Sequence, residues 1–254
     1  MMNIEEHHIN QLLNKLHEDT GIEITHANRW QVQHRIRALC RTLSYSVQEL
    51  RRRITTSERH VLYPKLIDCI VVQESFFFRD DHFYDQLKHD VIPKLIEKFH
   101  NIKIWSAACA EGQEPYSLSI LLHQMDSRHN IQIFGSDISS AALQGAKNGC
   151  YLHSSLSRNL SQKDIQLYFQ PVTNETPQKR YQIKQQYKKN LIFFEHNLMH
   201  PTGKHRFYHL IILRNALMYF SESHRKICID NLRRSVQKGG VLIISNPNTQ
   251  IIQC

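Results

Sequence analysis

The sequence predicts an α/β protein, a mostly parallel sheet with helices on its faces, preceded by a helical segment. Three observations carry this. From residue 101 onward short apolar runs alternate with helical segments, the pattern of parallel strands joined by crossover helices. Before residue 73 the apolar residues recur at helical spacing. Between them lies Ile104-Trp-Ser-Ala-Ala-Cys-Ala-Glu-Gly-Gln-Glu-Pro-Tyr-Ser, where a strand ends in small residues, a loop with a single glycine follows, and a helix starts near Gln113. Strand, small-residue loop and helix is the arrangement by which an α/β domain lets a cofactor approach the backbone.

In chain order, Ile4, Ile9, Leu12, Leu13 and Leu16 mark a first helix that Gly21 stops. Asn28 caps a second over residues 29–43, Ser46 opens a third ending near Ile54, and Ser57 opens a fourth through Leu62, Leu66 and Ile70, with Pro64 in its early turns. One further helix covers residues 80–99 and bends at Pro93. Strands are expected at 102–106, 131–136, 191–195, 207–213 and 241–245, and helices at 113–125, 139–148 and 222–236. Residues 150–190 interrupt this alternation. There 161–169 reads as helix and Tyr181-Gln-Ile-Lys-Gln as an exposed strand, together a small helix-plus-hairpin lobe. The expected domains are a helical one over 1–72 and a sheet domain over 73–254 that carries the 150–190 insert.

With 254 residues, 41% hydrophobic and 22% charged, the chain is of globular type. Its net charge of +9 favours acidic or polyanionic partners. Arginines crowd one early stretch, at 29, 35, 37, 41, 51, 52, 53 and 59. The six cysteines include no Cys-x-x-Cys pair and read as reduced thiols. The N-terminus lacks a signal peptide's basic start and apolar core, and no apolar run reaches transmembrane length, so a cytoplasmic protein is expected.

The loop after the first sheet strand has neither Gly-x-Gly-x-x-Gly nor Gly-Lys-Ser/Thr, which argues against a dinucleotide fingerprint and a phosphate loop. Its carboxylates, Glu111 and Glu114, suit a ligand with hydroxyls and a cationic group, as S-adenosylmethionine has; an ordinary strand-to-helix turn fits the same residues. Asp137 closes the second strand, where an acid can take ribose hydroxyls, although Asp also caps helices. Arg214 and Asn215 end the fourth strand, with Tyr219 one turn on, at the sheet edge where ligands bind; a capping Asn and a surface Arg are the plainer reading. Phe76, Phe77 and Phe78 read as a buried junction, and Arg79 beside them as a clamp for a carboxylate. Arg37 and Arg41, one helical turn apart, form either a solvated face or a docking strip for an acidic or amide-rich helix. Nucleic acid is the weaker partner, for want of interleaved aromatics and of a recognition motif. His196, His200, His205 and His209 contain no His-Glu-x-x-His, and no metal site is expected. Neither a Ser-His-Asp order nor a catalytic cysteine stands out.

Taken in order, Glu74-Ser-Phe-Phe-Phe-Arg-Asp, the 105–117 stretch, Gly135-Ser-Asp-Ile, Asn197-Leu and Arg214-Asn-Ala-Leu-Met-Tyr-Phe resemble the CheR-type chemotaxis receptor methyltransferases, over about residues 25–246. The resemblance implies a Rossmann-like S-adenosylmethionine-dependent methyltransferase sheet with a helical N-terminal domain and an inserted small β-lobe. The activity it implies is methylation of glutamate side chains on a helical chemoreceptor, leaving S-adenosylhomocysteine. By position it places Gln73, Ser75, Arg79, Glu114, Asp137, Asn197, Leu198, Arg214 and Asn215 around the cofactor, and Tyr219 at the family's active-site tyrosine. Arg79 and Tyr219 would then orient the substrate carboxylate. Arg35, Arg37 and Arg41 would meet the receptor's methylation helices, and the insert would take a receptor tail.

Some positions depart from the family. Gln73 and Ser75 stand where Asn and Thr are usual, His209 replaces an acid, and Ser245-Asn-Pro-Asn replaces a Gly-His-Ser-Glu-like turn. The stretch up to Cys254 is expected to leave no room for the last two strands of a seven-stranded sheet. An open edge of that kind invites self-association or a partner. It also leaves open a divergent, non-catalytic module of the same fold that binds cofactor or receptor.

Overall fold

The computed structural model describes residues 4–125, 130–172, 178–204, 206–245 and 249–254. Four helices come first. α1 (Ile4–Thr20), α2 (His26–Leu43), α3 (Val47–Arg53) and α4 (Arg59–Ile70) bury one shared core of Ile9, Leu12, Leu16, Ile36, Leu50 and Leu66, all at 1% exposure or less. α2 starts at His26 rather than at a capping Asn28, whose buried Oδ1 is without a hydrogen bond. Ser46 does cap α3, accepting from the Glu49 N–H. Gly21 ends α1 at φ 72°, and a Cβ there would meet Met199 Sδ at 2.7 Å and His224 Cβ at 2.9 Å. Glycine is therefore required by a left-handed backbone and by close contact with the sheet domain.

The single bent helix expected over 80–99 is instead α5 (Asp81–Gln86), a π-helical turn (Leu87–Val91) and α6 (Ile92–Lys98). Pro93 has no N–H to give and its ring crowds the turn before it. The wider π turn, which ends just before Pro93, accommodates both effects.

The alternating region follows as β1 (Asn101–Ala107), α7 (Gln113–Gln124), β2 (Asn130–Asp137) and α8 (Ser140–Asn148). The insert then contributes β3 (Cys150–Leu152), α9 (His153–Leu156), α10 (Gln162–Tyr168), β4 (Phe169–Val172) and β5 (Arg180–Ile183). The chain returns through β6 (Leu191–Glu195), β7 (Tyr208–Arg214), α11 (Glu222–Ser235), β8 (Val236–Ser245) and β9 (Thr249–Gln253). The main sheet has the order β6-β2-β1-β7-β8-β9, with only β9 antiparallel, so the fold is a Rossmann-like α/β sheet. Chain order reverses between β1 and β7, which opens a crevice at the carboxyl ends of these strands.

Two expectations about the sheets need correction. β9 pairs with β8 from Thr249 to Gln253, so one of the two strands that seemed to lack room is present; the Asn246-Pro247-Asn248 turn lies outside the described residues. The insert is a three-stranded antiparallel sheet, β3-β5-β4, rather than one hairpin, because Cys150–Leu152 and Phe169–Val172 both pair with β5. Of the three consecutive aromatics only Phe77 is fully buried, edge-on to Tyr151 and Phe169 of the insert.

His209, which stands where the resemblance would place an acid, keeps an acceptor there. Its Nδ1 takes the Lys103 backbone N–H at 3.0 Å, and the ring packs on Phe99 at 4.4 Å. Burial, with Lys103 adding to it, holds this imidazole below its ordinary pKa of 6.5. As pH falls the unfolded chain takes up this proton first. The contribution to stability is full above 6.5 and is lost as pH drops through 6.5 toward the lower folded value. His209→Asn keeps an acceptor but does not titrate. Denaturant titrations should show it losing less stability than wild type between about pH 7 and 5; equal losses would contradict this role.

Candidate functional site

A cleft enclosing about 1080 Å³, its open mouth included, lies at the carboxyl ends of β1, β2 and β7. Gln73, Ser75, Arg79, Glu114, Asp137, Asn197, Leu198, Arg214, Asn215 and Tyr219 all line it. The helical segment closes one side through Thr20, Ile22 and Ile70.

The floor is the loop from Ala108 to Gly112. Ala108 (φ 55°) and Ala110 (φ 49°) are left-handed, as is Asn215 (φ 55°) across the cleft. Such residues persist only where surrounding contacts over-determine them, and they gather at functional sites. The contacts here are the Cys109 N–H on the Ser136 carbonyl at 2.8 Å and the Ala110 N–H on Asp137 Oδ2 at 2.8 Å. Gly112 (φ 88°) then starts α7, and a Cβ on it would strike Ala146 Cβ at 2.9 Å. From the insert, the Tyr151 hydroxyl donates to the Glu111 carbonyl at 2.7 Å and braces the loop.

Each residue of the Glu114-Pro-Tyr-Ser motif has a distinct task. Glu114 Oε1 accepts from Ser106 Oγ at 2.7 Å and Oε2 from Arg214 Nη1 at 3.2 Å. Pro115 sits in the first turn of α7, where the helix needs no N–H from it. The Tyr116 hydroxyl donates to the Ala146 carbonyl at 2.7 Å, and Ser117 Oγ accepts the Phe78 N–H at 3.0 Å. That last bond ties residues 73–80 to the sheet domain. Burial raises the Glu114 pKa, and Arg214 and Ser106 pull it back. Glu111, the other carboxylate of the loop, is exposed and faces away from the cleft.

Arg214 is not a surface residue, since its side chain is 3% exposed. Besides Glu114 it donates through Nη2 to the Arg79 carbonyl at 2.7 Å and to Asp80 Oδ2 at 3.3 Å, and it lies 3.9 Å from the Phe83 ring centre. Asp137 has both oxygens on backbone N–H groups, of Ala110 and Ser139 (3.0 Å), which leaves lone pairs for further donors. Burial raises its pKa and these N–H groups lower it. Gln73 Nε2 donates to Ser139 Oγ at 2.9 Å, and Asn197 Nδ2 to the Asp19 carbonyl at 2.7 Å. Arg79 has no carboxylate partner among the described residues; it reaches the Glu74 carbonyl at 3.4 Å and the Phe76 ring at 5.1 Å. The Tyr219 carbonyl accepts the Glu23 N–H at 2.7 Å, which joins the helical segment to the site.

Arg35, Arg37 and Arg41 of α2 do not line this cleft. Arg37 is engaged by Glu5 at 2.8 Å and Glu6 at 3.1 Å, and Arg35 reaches the Val71 carbonyl at 3.3 Å. Arg41 is exposed without an ion pair among the described residues. The sequence reading also missed Ser106, Ser139, His196 and Tyr84. Tyr84 lines the cleft, and its buried hydroxyl makes no hydrogen bond of ordinary geometry, with Ser117 and Arg214 beside it. A serine near the end of β1 and another at the start of α8 were the available signals for the first two; nothing local marks Tyr84. Among the described residues no group of three or more His, Cys, Asp or Glu is placed to hold a metal, and His205 lies outside them.

Ribose-type acceptors at a strand end, a small-residue floor and an unpartnered hydroxyl fit an adenosine-bearing ligand with an amino-acid tail. The class is thus an α/β enzyme domain with a nucleoside-cofactor cleft at its switch point. Residues 73–249 match the family profile described as CheR methyltransferase, SAM binding domain, and the chain belongs to this family. It is a methyltransferase, and its cofactor is S-adenosylmethionine. It is 30% identical over 226 residues to chemotaxis protein methyltransferase Cher2 of Pseudomonas putida, covering 82% of this chain and 80% of the relative. Chemotaxis protein methyltransferase 1 of Pseudomonas aeruginosa is 28% identical, over 94% of this chain and 92% of its own. The chemotaxis protein methyltransferase of Borreliella burgdorferi is 27% identical, over 98% and 90%.

Arg214→Met leaves Glu114 buried without its cation and should lower stability by about 3–5 kcal/mol. Adding Glu114→Gln should recover about half of that loss or more in urea titrations. Losses that add would show that the pair is not coupled.

Proposed function

We propose that this protein transfers the methyl group of S-adenosylmethionine to glutamate side chains on a helical, chemoreceptor-like protein. Supporting this are the family, the names of the relatives and, above all, one feature of the cleft. Arg214 commits Nη1 and Nη2 to protein partners and only its Nε is left without one, whereas Arg79 lines the same cleft, within electrostatic reach of Glu114, with no ion pair among the described residues. A buried site with a spare guanidinium is suited to a carboxylate.

The cofactor supplies a methyl group made electrophilic by its sulfonium. Asp137 would hold the ribose hydroxyls, with Gln73 and Ser75 alongside. Glu114 and the Tyr84 hydroxyl would face the amino-acid tail. Asn197, Leu198, Arg214 and Asn215 complete the walls. A substrate glutamate, with a reference pKa of about 4.3, is already ionised near neutrality and needs no general base. The task left to the protein is placement and exclusion of water. Arg79 would neutralise and aim the carboxylate, and Tyr219 would donate a hydrogen bond to it. Ile22, Leu198 and Phe220 supply apolar walls.

The docking surface is read as the outer face of α2. There Trp30, 71% exposed, stacks on His34 at 5.5 Å, and Arg41 follows on the same face. Arg35 flanks this face, while Arg37 contributes less than expected because Glu5 and Glu6 already neutralise it. An acidic helix suits these groups and the net charge of +9, and no step calls for nucleic acid. The place of action is read as the cytoplasm; no described helix is long and apolar enough to cross a membrane. The edge strand β9 offers a surface for self-association, which the proposed reaction does not require.

The test is methyl transfer to acidic receptor helices, read as base-labile methyl ester. Arg79→Ala and Tyr219→Phe should each lower kcat by about tenfold or more while S-adenosylhomocysteine binding persists. Unchanged rates in both variants would remove these roles, and a base-stable product would remove glutamate as the acceptor.

A further inference from the structure

Asp68 lies in α4, in the helical segment, and does not line the cleft; neither does Ser139. Yet Asp68 Oδ1 accepts a hydrogen bond from Ser139 Oγ at 2.6 Å. Ser139 is fully buried, and every capacity of its hydroxyl is committed. The hydrogen goes to Asp68, and the oxygen accepts Gln73 Nε2 at 2.9 Å and the Ala142 N–H at 3.0 Å, the latter as N-cap of α8. A serine hydroxyl has one hydrogen and two lone pairs, so nothing is left over. The Ser139 backbone N–H meanwhile donates to Asp137 Oδ1 at 3.0 Å.

This geometry makes the direction of the hydroxyl depend on Asp68. With an acceptor on α4 the hydrogen points away from the cleft, and both lone pairs face Gln73 and the start of α8. Without it the hydrogen must turn to acceptors among these same neighbours, Gln73 Oε1 once that amide is reversed or Asp137 Oδ1, and either choice disturbs a group the cleft uses. We infer that Asp68 is a positioning residue of the cofactor site, which acts through Ser139 on Gln73 and on the turn that carries Asp137. The inference rests on reading the cleft as the cofactor site. It assigns the helical segment a part in cofactor binding in addition to docking. Arg35 of α2 grips the same end of α4, through the Val71 carbonyl at 3.3 Å, so the docking helix and the positioning residue share one short piece of backbone.

The experiment compares S-adenosylhomocysteine binding by calorimetry, and kcat and KM for S-adenosylmethionine, across wild type, Asp68→Ala, Asp68→Asn, Ser139→Ala and the Asp68→Ala/Ser139→Ala double variant. Asp68→Ala should raise Kd and KM about tenfold with kcat little changed, the loss expected for one buried hydrogen bond. Asp68→Asn retains an acceptor oxygen and should stay within about threefold of wild type. The double variant should bind no more weakly than Ser139→Ala alone, because the two residues act in series. If Asp68→Ala does not fold, Asp68→Leu, similar in shape to Asp and without an acceptor, takes its place with the same expectations. Wild-type binding by a folded variant without the acceptor, additive losses, or a fall in kcat at constant KM would each overturn the inference. Wild-type protein that binds no S-adenosylhomocysteine would instead refute the cofactor-site reading on which it rests.

Discussion

A buried guanidinium at the end of β7 organises the cleft. Removing a charge from water is costly unless partners replace the lost hydration, and Arg214 obtains its partners from two separate stretches of chain. It takes Glu114 from the first turn of α7, the Arg79 carbonyl and Asp80 from the turn before α5, and the face of Phe83. Meeting those demands fixes where residues 73–80 run. Phe77 is thereby set into the insert, and the Phe78 N–H reaches Ser117. The Arg79 side chain is left in the cleft while its carbonyl is consumed.

A second consequence is that the helical segment is a wall of the site rather than an appendage. The Glu23 N–H meets the Tyr219 carbonyl, Ile22 bridges Phe220, Asn197 reaches the Asp19 carbonyl, and Asp68 reaches Ser139. α2 and Tyr219 are therefore parts of one packed unit. In the reading proposed above, the protein substrate is held by the same segment that closes the cofactor cleft.

Much of the site could be read from local sequence because the loop and strand ends announce themselves. A strand that stops in small residues, an acid at the end of the next strand, and a polar pair at the end of the fourth all occupy the sheet edge where ligands bind. What those residues touch was less legible. Arg214 and Asn197 look like ligand contacts in sequence, but their polar atoms are largely spent on the protein itself. Glu111 and Glu114 are indistinguishable as letters, yet Glu114, in the first turn of α7, lines the cleft and Glu111, in the turn before Gly112, does not. Arg37 is neutralised by acids far away in sequence. Pro93 marks a disturbed helix but not the π turn that takes it up, and the pairing of β9 depends on tertiary fit, which a local pattern does not encode. Asp68 carries no motif at all; its meaning comes from a hydroxyl 71 residues later.

The most direct test of the account is calorimetric titration of S-adenosylhomocysteine into wild-type protein and Asp137→Ala. The account predicts micromolar binding by wild type and its loss in a folded Asp137→Ala protein, since the substitution removes the carboxylate that both orders the floor loop and faces the ribose. Equal binding by the two proteins would place the cofactor elsewhere and contradict the cleft described here.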